Sequence, residues 1–485
     1  MKIFIQACLM IGLCSNPALA NDEALHHWLQ TTVEQHKMAG LTAVVVRDGK
    51  TIFNRAYGVA DINSGAPVST QHLYHMASVS KPVVAVAVMQ LVEQGKINLS
   101  APVSTYLPYF TMADDRVKDV TIDQLLSHTS GMPDVEDYAW KAPETDAQAL
   151  ERWVKAQSGK KLLFTPGTDR RYSNIGYEIL GDIVAKVSGL PFEDYIKKHI
   201  FEPLGMKQSS FLRSDIPSHL RVKAHVGISE TIALDYYPYN RRHAPSSTFH
   251  TNGDELAKWL IAFSFPKRLS TTGILQPETV NAMWQIQFRM SDKRHMTRGW
   301  SRAVTDDSGT LLRHGGSDEG FRTEMAVFED KDAGYGLMSN KEQLPLAEIQ
   351  KALRYHALDK PLPAIPGLSA GQKTVSLFKK EGALAVVINF GKAISSGTKT
   401  EADAIYFFSQ DLLRNGDRVN AEIMADGMVK HLPNHHLIQA FKANVKFELG
   451  KISEAEQAAR KALDMQADIA SMKELLTQIS KQKNR

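Results

Sequence analysis

The stretch that decides the fold is residues 78–95, which read SVSKPVVAVAVMQLVEQG. Residues 83–94 are apolar on nearly every side, which predicts a helix buried all round that ends at the C-cap glycine Gly95. Ser78 and Lys81 stand three positions apart where this helix begins, so their side chains share one face. The lysine amine is therefore predicted to reach the serine hydroxyl on a rigid element at the centre of a domain.

This pair of residue types is suited to acyl transfer. A serine hydroxyl is a poor nucleophile at neutral pH, and a neighbouring lysine can act as its base once burial or nearby charge lowers the lysine pKa. The start of a helix adds unsatisfied backbone N–H groups and a positive dipole end where an oxyanion would form. By itself, however, the spacing S-x-x-K occurs by chance in many chains.

Two further motifs follow along the chain. The first, Tyr172-Ser173-Asn174, precedes a predicted helix at residues 176–188; its phenol could relay protons near Lys81, and its amide could hold a substrate amide. The second, His314-Gly315-Gly316-Ser317, ends a strand-like run. Paired glycines let a substrate approach an edge strand, and the Ser317 N–H could complete an oxyanion hole. Taken singly, the first motif also fits a packed tyrosine and the second a tight turn.

In this order the motifs resemble the signatures of β-lactamases and penicillin-binding proteins, S-x-x-K, then Y-x-N, then a basic residue before a glycine pair. More closely, the chain is similar to the class C β-lactamase-related serine hydrolases, which include carboxypeptidases, D-aminopeptidases, esterases and lactamases. The segments VTIDQLLSHTSGMP at 120–133 and PLGM at 203–206 are also similar to that family. The resemblance covers roughly residues 40–340.

The resemblance implies a role for each site residue. Ser78 would be the nucleophile, Lys81 and Tyr172 the acid/base pair, and Asn174 a substrate-amide contact. The backbone N–H groups of Ser78 and Ser317 would form the oxyanion hole. The remaining substrate contacts would be His314, Gly315 and Gly316.

The implied fold is α+β, an antiparallel sheet flanked by helices with a mostly helical subdomain, and the active site lies in the cleft between. The residues themselves predict the same sheet. Strand-like runs at 41–47 and 50–57 are joined by the hairpin signal Asp48-Gly49, and three more runs lie within 310–338. One sheet built from both ends of this region is therefore expected.

One departure from the family pattern bears on the substrate. His314 stands where efficient lactamases have a lysine, so a full positive charge facing a substrate carboxylate is missing at neutral pH. We therefore expect a D-amino acid peptidase, a carboxypeptidase or an esterase. The alternatives are a weak β-lactamase, or a catalytically silent penicillin-binding receptor or scaffold. Arg322 either replaces the missing charge by pointing into the cleft or is a solvated strand arginine.

Residues 1–20 are typical of a secretory signal, with Lys2 at the start, a short apolar run and the cleavage site Ala18-Leu19-Ala20. We expect export, to the periplasm or beyond. Both cysteines, Cys8 and Cys14, lie in this segment, so the mature chain would have no disulfide or thiol chemistry. A buried first helix and a lipoprotein anchor at Cys14 are the alternatives.

The predicted domains are a signal peptide at 1–20, a hydrolase domain at 21–360, a linker at 361–370 and an all-α domain at 371–485. The linker contains the proline-rich PLPAIPG. In the last domain, glycines recur every 34 residues, a period that resembles tetratricopeptide repeats: Gly382, Gly416 and Gly450. A plain helical bundle is the alternative. The repeats could bind a protein partner, gate the cleft or only stabilise the protein.

Charge and motif content narrow the choice of partners. The 57 basic and 53 acidic residues leave a net charge of +4, which gives no electrostatic argument for nucleic acid or an anionic membrane. Histidines do not pair with acidic residues at metal-ligand spacing, and no phosphate loop is present. We expect a small-molecule or peptide substrate, no metal or other cofactor, no nucleic acid and no transmembrane anchor. The oligomeric state is open.

Overall fold

The computed structural model describes residues 17–227, 231–466 and 469–483. Residues 1–16 of the predicted signal, with Cys8 and Cys14, lie outside this part of the chain. The chain divides into two compact units. We call them the sheet unit, built mainly from residues 17–34, 38–225 and 233–365, and the helical unit, built mainly from residues 366–466 and 469–483.

One antiparallel sheet organises the sheet unit. Among the described residues, the strands are β1 Gly40–Arg47, β2 Lys50–Asp61, β3 Ala66–Pro67, β4 Tyr74–His75, β5 His225–Val226, β6 Ile232–Ala233, β7 His250–Thr251, β8 Phe288–Ser291, β9 Arg294–Met296, β10 Ser301–Thr305, β11 Gly309–Asp318, β12 Phe321–Phe328 and β13 Ala333–Ser339. The strand order of the main sheet is β3-β2-β1-β13-β12-β11-β10-β9-β8. Because β1 pairs with β13, the prediction of one sheet from both ends is confirmed.

The hairpin of β1 and β2 turns where the sequence predicted. Asp48 and Gly49 have φ of 49° and 72°. A two-residue hairpin turn with both residues at positive φ matches the twist of the flanking strands, and Asp-Gly is among the pairs that accept it. Arg47 and Lys50 are paired across the turn. The predicted hairpin is confirmed.

Helices cover both faces of this sheet. In the sheet unit they are α1 Pro17–Gln35, α2 Ser80–Glu93, α3 Ile122–Leu126, α4 Ala149–Lys155, α5 Asn174–Ser188, α6 Phe192–Ile196, α7 Ala244–Ser247, α8 Gly253–Phe263, α9 Pro266–Thr272, α10 Pro277–Trp284 and α11 Leu346–Ala357. Side chains alternate along β1, so that Ala43 and Val45 pack towards α1 and α11, while Val44 and Val46 join the core that holds α2, α5 and α8.

Helix α2 is buried as predicted. Every residue from Ser80 to Leu91 is buried. The helix ends at Glu93, and Gly95 takes the left-handed conformation, with φ of 68°, that suits the residue after a helix C-cap. A helix enclosed from Ser80 to Leu91 holds its first turn rigidly, because that turn cannot shift without disturbing the core.

The helical unit contains α12 Ala370–Ser396, α13 Lys399–Arg414, α14 Arg418–His431, α15 His436–Glu448, α16 Ile452–Met465 and α17 Ala470–Lys483. The three periodic glycines, Gly382, Gly416 and Gly450, have φ of 81°, 81° and 71°. The first interrupts α12, and the other two separate consecutive helices. An α+β region followed by an all-helical one confirms the predicted fold class. The domain borders and the tetratricopeptide assignment stay predictions.

Within the described ranges, no helix is both long enough and apolar enough to cross a membrane.

Substitution of Gly336 tests how tightly α8 packs on the sheet. A Cβ at this position in β13 would lie 2.5 Å from Leu256 Cδ2 of α8. We expect Gly336→Ala to destabilise the sheet unit by about 1–3 kcal/mol through overpacking, which lowers Tm by several degrees. Thermal unfolding measures the effect. Gly159→Ala is the matched control, since nothing lies within 4 Å of its Cβ. Equal Tm values for the two variants would contradict this packing.

Candidate active site

Ser78 lies in the short 3₁₀ turn Ala77–Val79, directly before α2. Ala77 has φ of 49°, in the left-handed region that residues other than glycine rarely adopt. Such a conformation costs on the order of 1–3 kcal/mol and persists where surrounding contacts fix it. The turn that presents Ser78 is therefore held in place by its neighbours.

Hydrogen bonds on both sides hold this turn. Met76 donates its N–H to the carbonyl of Phe249 at 2.7 Å and accepts from the Thr323 hydroxyl at 2.7 Å. The buried Ser80 hydroxyl donates to the carbonyl of Ala77 at 2.7 Å and accepts from the N–H of Phe249 at 3.0 Å. The segment before α2 is thus tied to β12 and to the chain between α7 and β7.

Strand β11 approaches the same turn through Gly316. A Cβ on Gly316 would lie 2.3 Å from the Met76 carbonyl oxygen, 2.3 Å from Thr323 Oγ1 and 3.1 Å from Ala77 Cβ. A glycine is needed at this position because the backbone of the protein itself comes close. The sequence had suggested a different reason, the approach of a substrate. Its neighbour Ser317 is exposed, and the role of its backbone N–H in an oxyanion hole stays a prediction.

Lys81 is fully buried, and its Nζ donates three hydrogen bonds. The acceptors are Ser78 Oγ at 3.1 Å, Asn174 Oδ1 at 2.6 Å and the carbonyl oxygen of Ser246 at 2.8 Å. Burial lowers the Lys81 pKa to about 7, although the carboxylates of Asp318, Asp134 and Glu178 oppose the shift. At neutral pH a large fraction of this amine is uncharged and able to accept a proton.

Asn174 is the first residue of α5, which begins two residues before the predicted helix and is capped by Ser173. Its Oδ1 accepts from Lys81, and its Nδ2 donates to Asp134 Oδ1 at 2.9 Å. The Asn174 backbone N–H donates to the same oxygen at 2.8 Å. The oxygen and the nitrogen of the Asn174 amide are therefore both used to orient Lys81 in this structure. The predicted contact of Asn174 with a substrate amide stays a prediction.

Tyr172 lies beside both residues of the S-x-x-K motif. The Lys81 Nζ sits 4.9 Å from the centre of its ring. Burial raises the pKa of the Tyr172 phenol well above its ordinary value, and a hydrogen bond with Ser78 partly offsets the shift. The phenol is protonated at neutral pH, so the neutral amine of Lys81 is the better base of the pair. His128 packs against the ring at 4.3 Å between centroids and accepts the Ser173 N–H.

His314 is neutral. It is buried in β11 with its ring 6.5 Å from that of Tyr172, and its Nδ1 donates to the Gly315 carbonyl at 2.8 Å. Burial lowers the His314 pKa to about 3, and the charge of Lys81 acts in the same direction. Gly315, the other glycine of the motif, is exposed.

Arg322 lies on the opposite side of the sheet from this cleft. Alternation along β12 places Thr323, which contacts the Ser78 turn, on one face and Arg322 on the other. Arg322 Nε donates to the carbonyl of Glu342 at 3.3 Å. Of the two interpretations that the sequence left open for Arg322, replacement of the missing charge in the cleft is therefore wrong.

The sequence did not indicate two carboxylates behind the site, Glu178 and Asp318. Glu178 of α5 is fully buried and accepts from His243 Nδ1 at 2.7 Å and from Ser246 Oγ at 3.0 Å. Ser246 in turn accepts from Lys81 through its carbonyl. Asp318, at the end of β11, accepts from His75 Nε2 at 2.7 Å. A lone carboxylate in a helix or strand carries no signal of burial, so packing alone identifies these residues.

A cavity of about 260 Å³ opens on Tyr172 and His314. Arg170 and Arg294 also line it, and neither forms an ion pair with any carboxylate of the described ranges. Arg170 Nε is buried and lacks a hydrogen-bond partner in that same part of the chain. No cluster of His, Cys, Asp and Glu able to hold a metal ion occurs among the described residues.

Comparison with known proteins adds independent findings. The sequence profile of the Beta-lactamase family matches residues 25–359. Esterase EstB of Burkholderia gladioli is 32% identical over 214 residues, 42% of this chain and 54% of the esterase. Protein flp of Staphylococcus aureus (strain MW2) is 27% identical over 320 residues, 66% of this chain and 62% of that protein. This chain thus spans less than two thirds of the length of either relative.

Two further similarities cover a larger share of the matched protein. Penicillin-binding protein 4* of Bacillus subtilis (strain 168) is 26% identical over 332 residues, 65% of this chain and 70% of that protein. The octameric penicillin-binding protein homologue from Pyrococcus abyssi superposes with a TM-score of 0.61 at 22% identity, over 74% of this chain and 81% of that one. At this identity the superposition establishes a shared fold.

The charge environment of Lys81 can be tested directly. We expect the Lys81 amine to titrate with a midpoint of about 7, and Asp318→Asn to lower that midpoint, because the Asp318 carboxylate favours the ammonium form. NMR titration of ¹³C-labelled lysine, assigned with Lys81→Arg, measures both. Asp306→Asn is the control, since Asp306 is exposed and bonded to Lys293. A midpoint unchanged or raised in Asp318→Asn would disprove this account.

Proposed function

The chain belongs to the β-lactamase family, and from that premise we propose that it cleaves amide or ester bonds through an acyl-enzyme formed on Ser78. The observation that carries the proposal is the Lys81 amine, 3.1 Å from Ser78 Oγ and with its pKa lowered to about 7. A base matched to neutral pH within hydrogen-bond reach of a hydroxyl is what activates a serine nucleophile.

In the proposed reaction, the Lys81 amine takes the Ser78 proton as Oγ attacks the substrate carbonyl carbon. The developing oxyanion accepts the backbone N–H groups of Ser78 and Ser317. The Tyr172 phenol then donates its proton to the departing amine or alkoxide and recovers one from the Lys81 ammonium. A water molecule releases the acyl group by the reverse sequence, with Lys81 again as the base.

Asn174 has a positioning role in this scheme. Its amide links Lys81 to Asp134, so that the amine points at Ser78 rather than along the cleft. A substrate amide that contacts Asn174 would have to share this hydrogen-bonding capacity.

We propose that the substrate is a D-amino acid peptide, as for a peptidase or carboxypeptidase, or an ester. A neutral His314 supplies no cation for the carboxylate of a penicillin, which argues against efficient lactam hydrolysis. The cavity at Tyr172 favours the carboxypeptidase. A leaving group protonated by Tyr172 departs into that cavity, where the Arg170 guanidinium, which has no carboxylate partner in the described residues, fits a carboxylate on the leaving group.

Export, the tetratricopeptide character of the helical unit and a protein partner for it stay predictions. The function proposed for Ser78 does not depend on them.

Ser78→Ala tests the nucleophile. With 4-nitrophenyl butyrate as substrate, we expect turnover to fall by about 10³-fold or more, because no acyl-enzyme can form. Intact-mass spectrometry should also lose the adduct that a fluorophosphonate leaves on the wild-type protein. Ser100→Ala, at an exposed serine hydrogen-bonded to Asn98, is the control and should retain both properties. Unchanged turnover in Ser78→Ala would exclude this assignment.

Arg170→Met tests the cavity at Tyr172 and His314, which we call the leaving-group cavity. We expect kcat/KM for a 3-carboxy-4-nitrophenyl ester to fall about tenfold, while the 4-nitrophenyl ester of the same acid is unaffected, because a single charge-assisted hydrogen bond is lost. Arg55→Met is the matched control, since this arginine lies in β2 and pairs with Glu23. Equal losses for both esters would mean that Arg170 supports the structure rather than the leaving group.

A further inference from the structure

A second groove, of about 820 Å³, lies elsewhere in the sheet unit. Segments around residues 140–145, 212–221 and 235–241 form its walls. We call it the Tyr237 groove. Aromatic rings and cationic side chains dominate its lining. This composition differs from that of an ordinary loop surface and suits a ligand with both apolar and anionic parts.

The groove adjoins the active site through one layer of side chains. The ring of Tyr237 lies 5.5 Å from that of Phe321 and 6.0 Å from that of His75. His75 is hydrogen-bonded to Asp318, the last residue of β11. Asp134 accepts a hydrogen bond from Asn174 of the active site. The segment that begins at Asp134 continues to Trp140, which lines the groove.

Its position along β11 separates the groove from the leaving-group cavity. That cavity opens at His314, and the Tyr237 groove lies by the Asp318 end, roughly 13 Å further along the strand at the usual rise per residue. Gly316, between the two, packs against the turn that carries Ser78. The acyl and leaving portions of a scissile bond extend in opposite directions from the carbonyl carbon. The groove therefore lies on the acyl side.

Two arginines of the groove lack a carboxylate partner in the described residues. The Arg213 guanidinium lies 4.3 Å over the Tyr237 ring, and its Nε is buried without a hydrogen-bond partner there. Arg221 donates to two backbone carbonyls, of Ile216 at 2.8 Å and of Arg213 at 3.2 Å. A buried guanidinium nitrogen without an acceptor is unfavourable unless a ligand supplies one.

The other charged residues of the groove do not cancel the positive charges of Arg213 and Arg221. Arg241 is already paired with Glu193 at 2.8 Å and adds no free charge. Lys141 lies with its ammonium 4.9 Å over the ring of Tyr236. Asp235 contributes a negative charge to the lining. The cations of Arg213, Arg221 and Lys141 outnumber it, so the groove is net positive.

We propose that the Tyr237 groove binds a carboxylate borne by the acyl portion of the substrate, with the carboxylate on Arg213 and the preceding chain against Tyr237 and Trp140. The proposal rests on the proposed function in two respects, that the ligand is the acyl portion of what Ser78 attacks and that the leaving group departs into the cavity at Tyr172. It narrows the substrate class to acidic acyl donors.

Two esters that differ in one charge test the proposal. Mono-(4-nitrophenyl) suberate ends in a carboxylate, and its methyl ester has the same leaving group and chain but no charge. With the full-length protein we expect kcat/KM for the acid ester to exceed that for the methyl ester by about tenfold or more, as for one charge-assisted contact. Equal values for this pair and for the longer sebacate pair would overturn the proposal.

Variants assign the preference to the groove. Arg213→Met keeps an apolar stem against Tyr237 but removes the charge, so the ratio of the two kcat/KM values should fall to near one while the methyl ester is unaffected. Arg213→Lys should retain part of the preference. Arg55→Met is again the control and should keep the wild-type ratio. An unaltered ratio in Arg213→Met overturns the proposal; if that variant does not fold, Arg213→Gln, which also removes the charge, replaces it under the same criterion.

A binding measurement separates this proposal from the proposed function. Suberate is titrated into Ser78→Ala protein at constant ionic strength, and the fluorescence of Trp140 is followed, with Trp140→Phe to identify the signal. A saturable change that Arg213→Met weakens about tenfold supports the groove even if no ester is hydrolysed, in which case the proposed function fails alone. Absence of a saturable change while wild-type protein hydrolyses esters overturns the groove and leaves the hydrolase.

Discussion

The buried amine of Lys81 is the interaction on which the site depends. Removing a lysine amine from water disfavours its charged form, and this structure compensates with three oxygen acceptors and, further away, three carboxylates. The carboxylates limit the effect of burial, and the Lys81 pKa is about 7. A less enclosed amine would remain an ammonium ion and could not take the Ser78 proton, and an amine without its acceptors would destabilise the fold.

Enclosing that amine requires elements from distant parts of the chain. Helix α2 supplies Lys81, the first turn of α5 supplies Asn174, and α7 supplies the Ser246 carbonyl. The turn before α2 is fixed from β12, and β11 reaches it because Gly316 has no side chain. The sheet makes this arrangement possible, since pairing of β1 with β13 brings the two ends of the sheet unit together. The geometry of the active site consequently depends on the packing of the whole sheet unit.

Comparison of the sequence predictions with the structure shows which signals are local. The Asp48-Gly49 hairpin, the enclosed helix α2 and the approach of Lys81 to Ser78 depend on residues close in sequence, and each is found as predicted. The family resemblance, rather than any local pattern, predicted that Tyr172, Asn174 and His314 share one cleft. The face of Arg322 depends on strand register, and the burial of Glu178 and the contact of Asp318 with His75 depend on which elements pack together. Neither is encoded in a local pattern.

The sequence by itself therefore determined the order of the chemistry-bearing motifs, the Asp48-Gly49 hairpin and the enclosed helix α2. The hairpin and the helix follow from turn chemistry and hydrophobic periodicity, which act over a few residues. Tertiary structure alone decided that Lys81 has a pKa of about 7, that His314 is neutral and that Arg213 faces a groove without a carboxylate partner in the described residues. These properties arise from desolvation and from charges brought together by folding. Their physical origin is the low polarity of a packed interior, which no single segment of the chain creates.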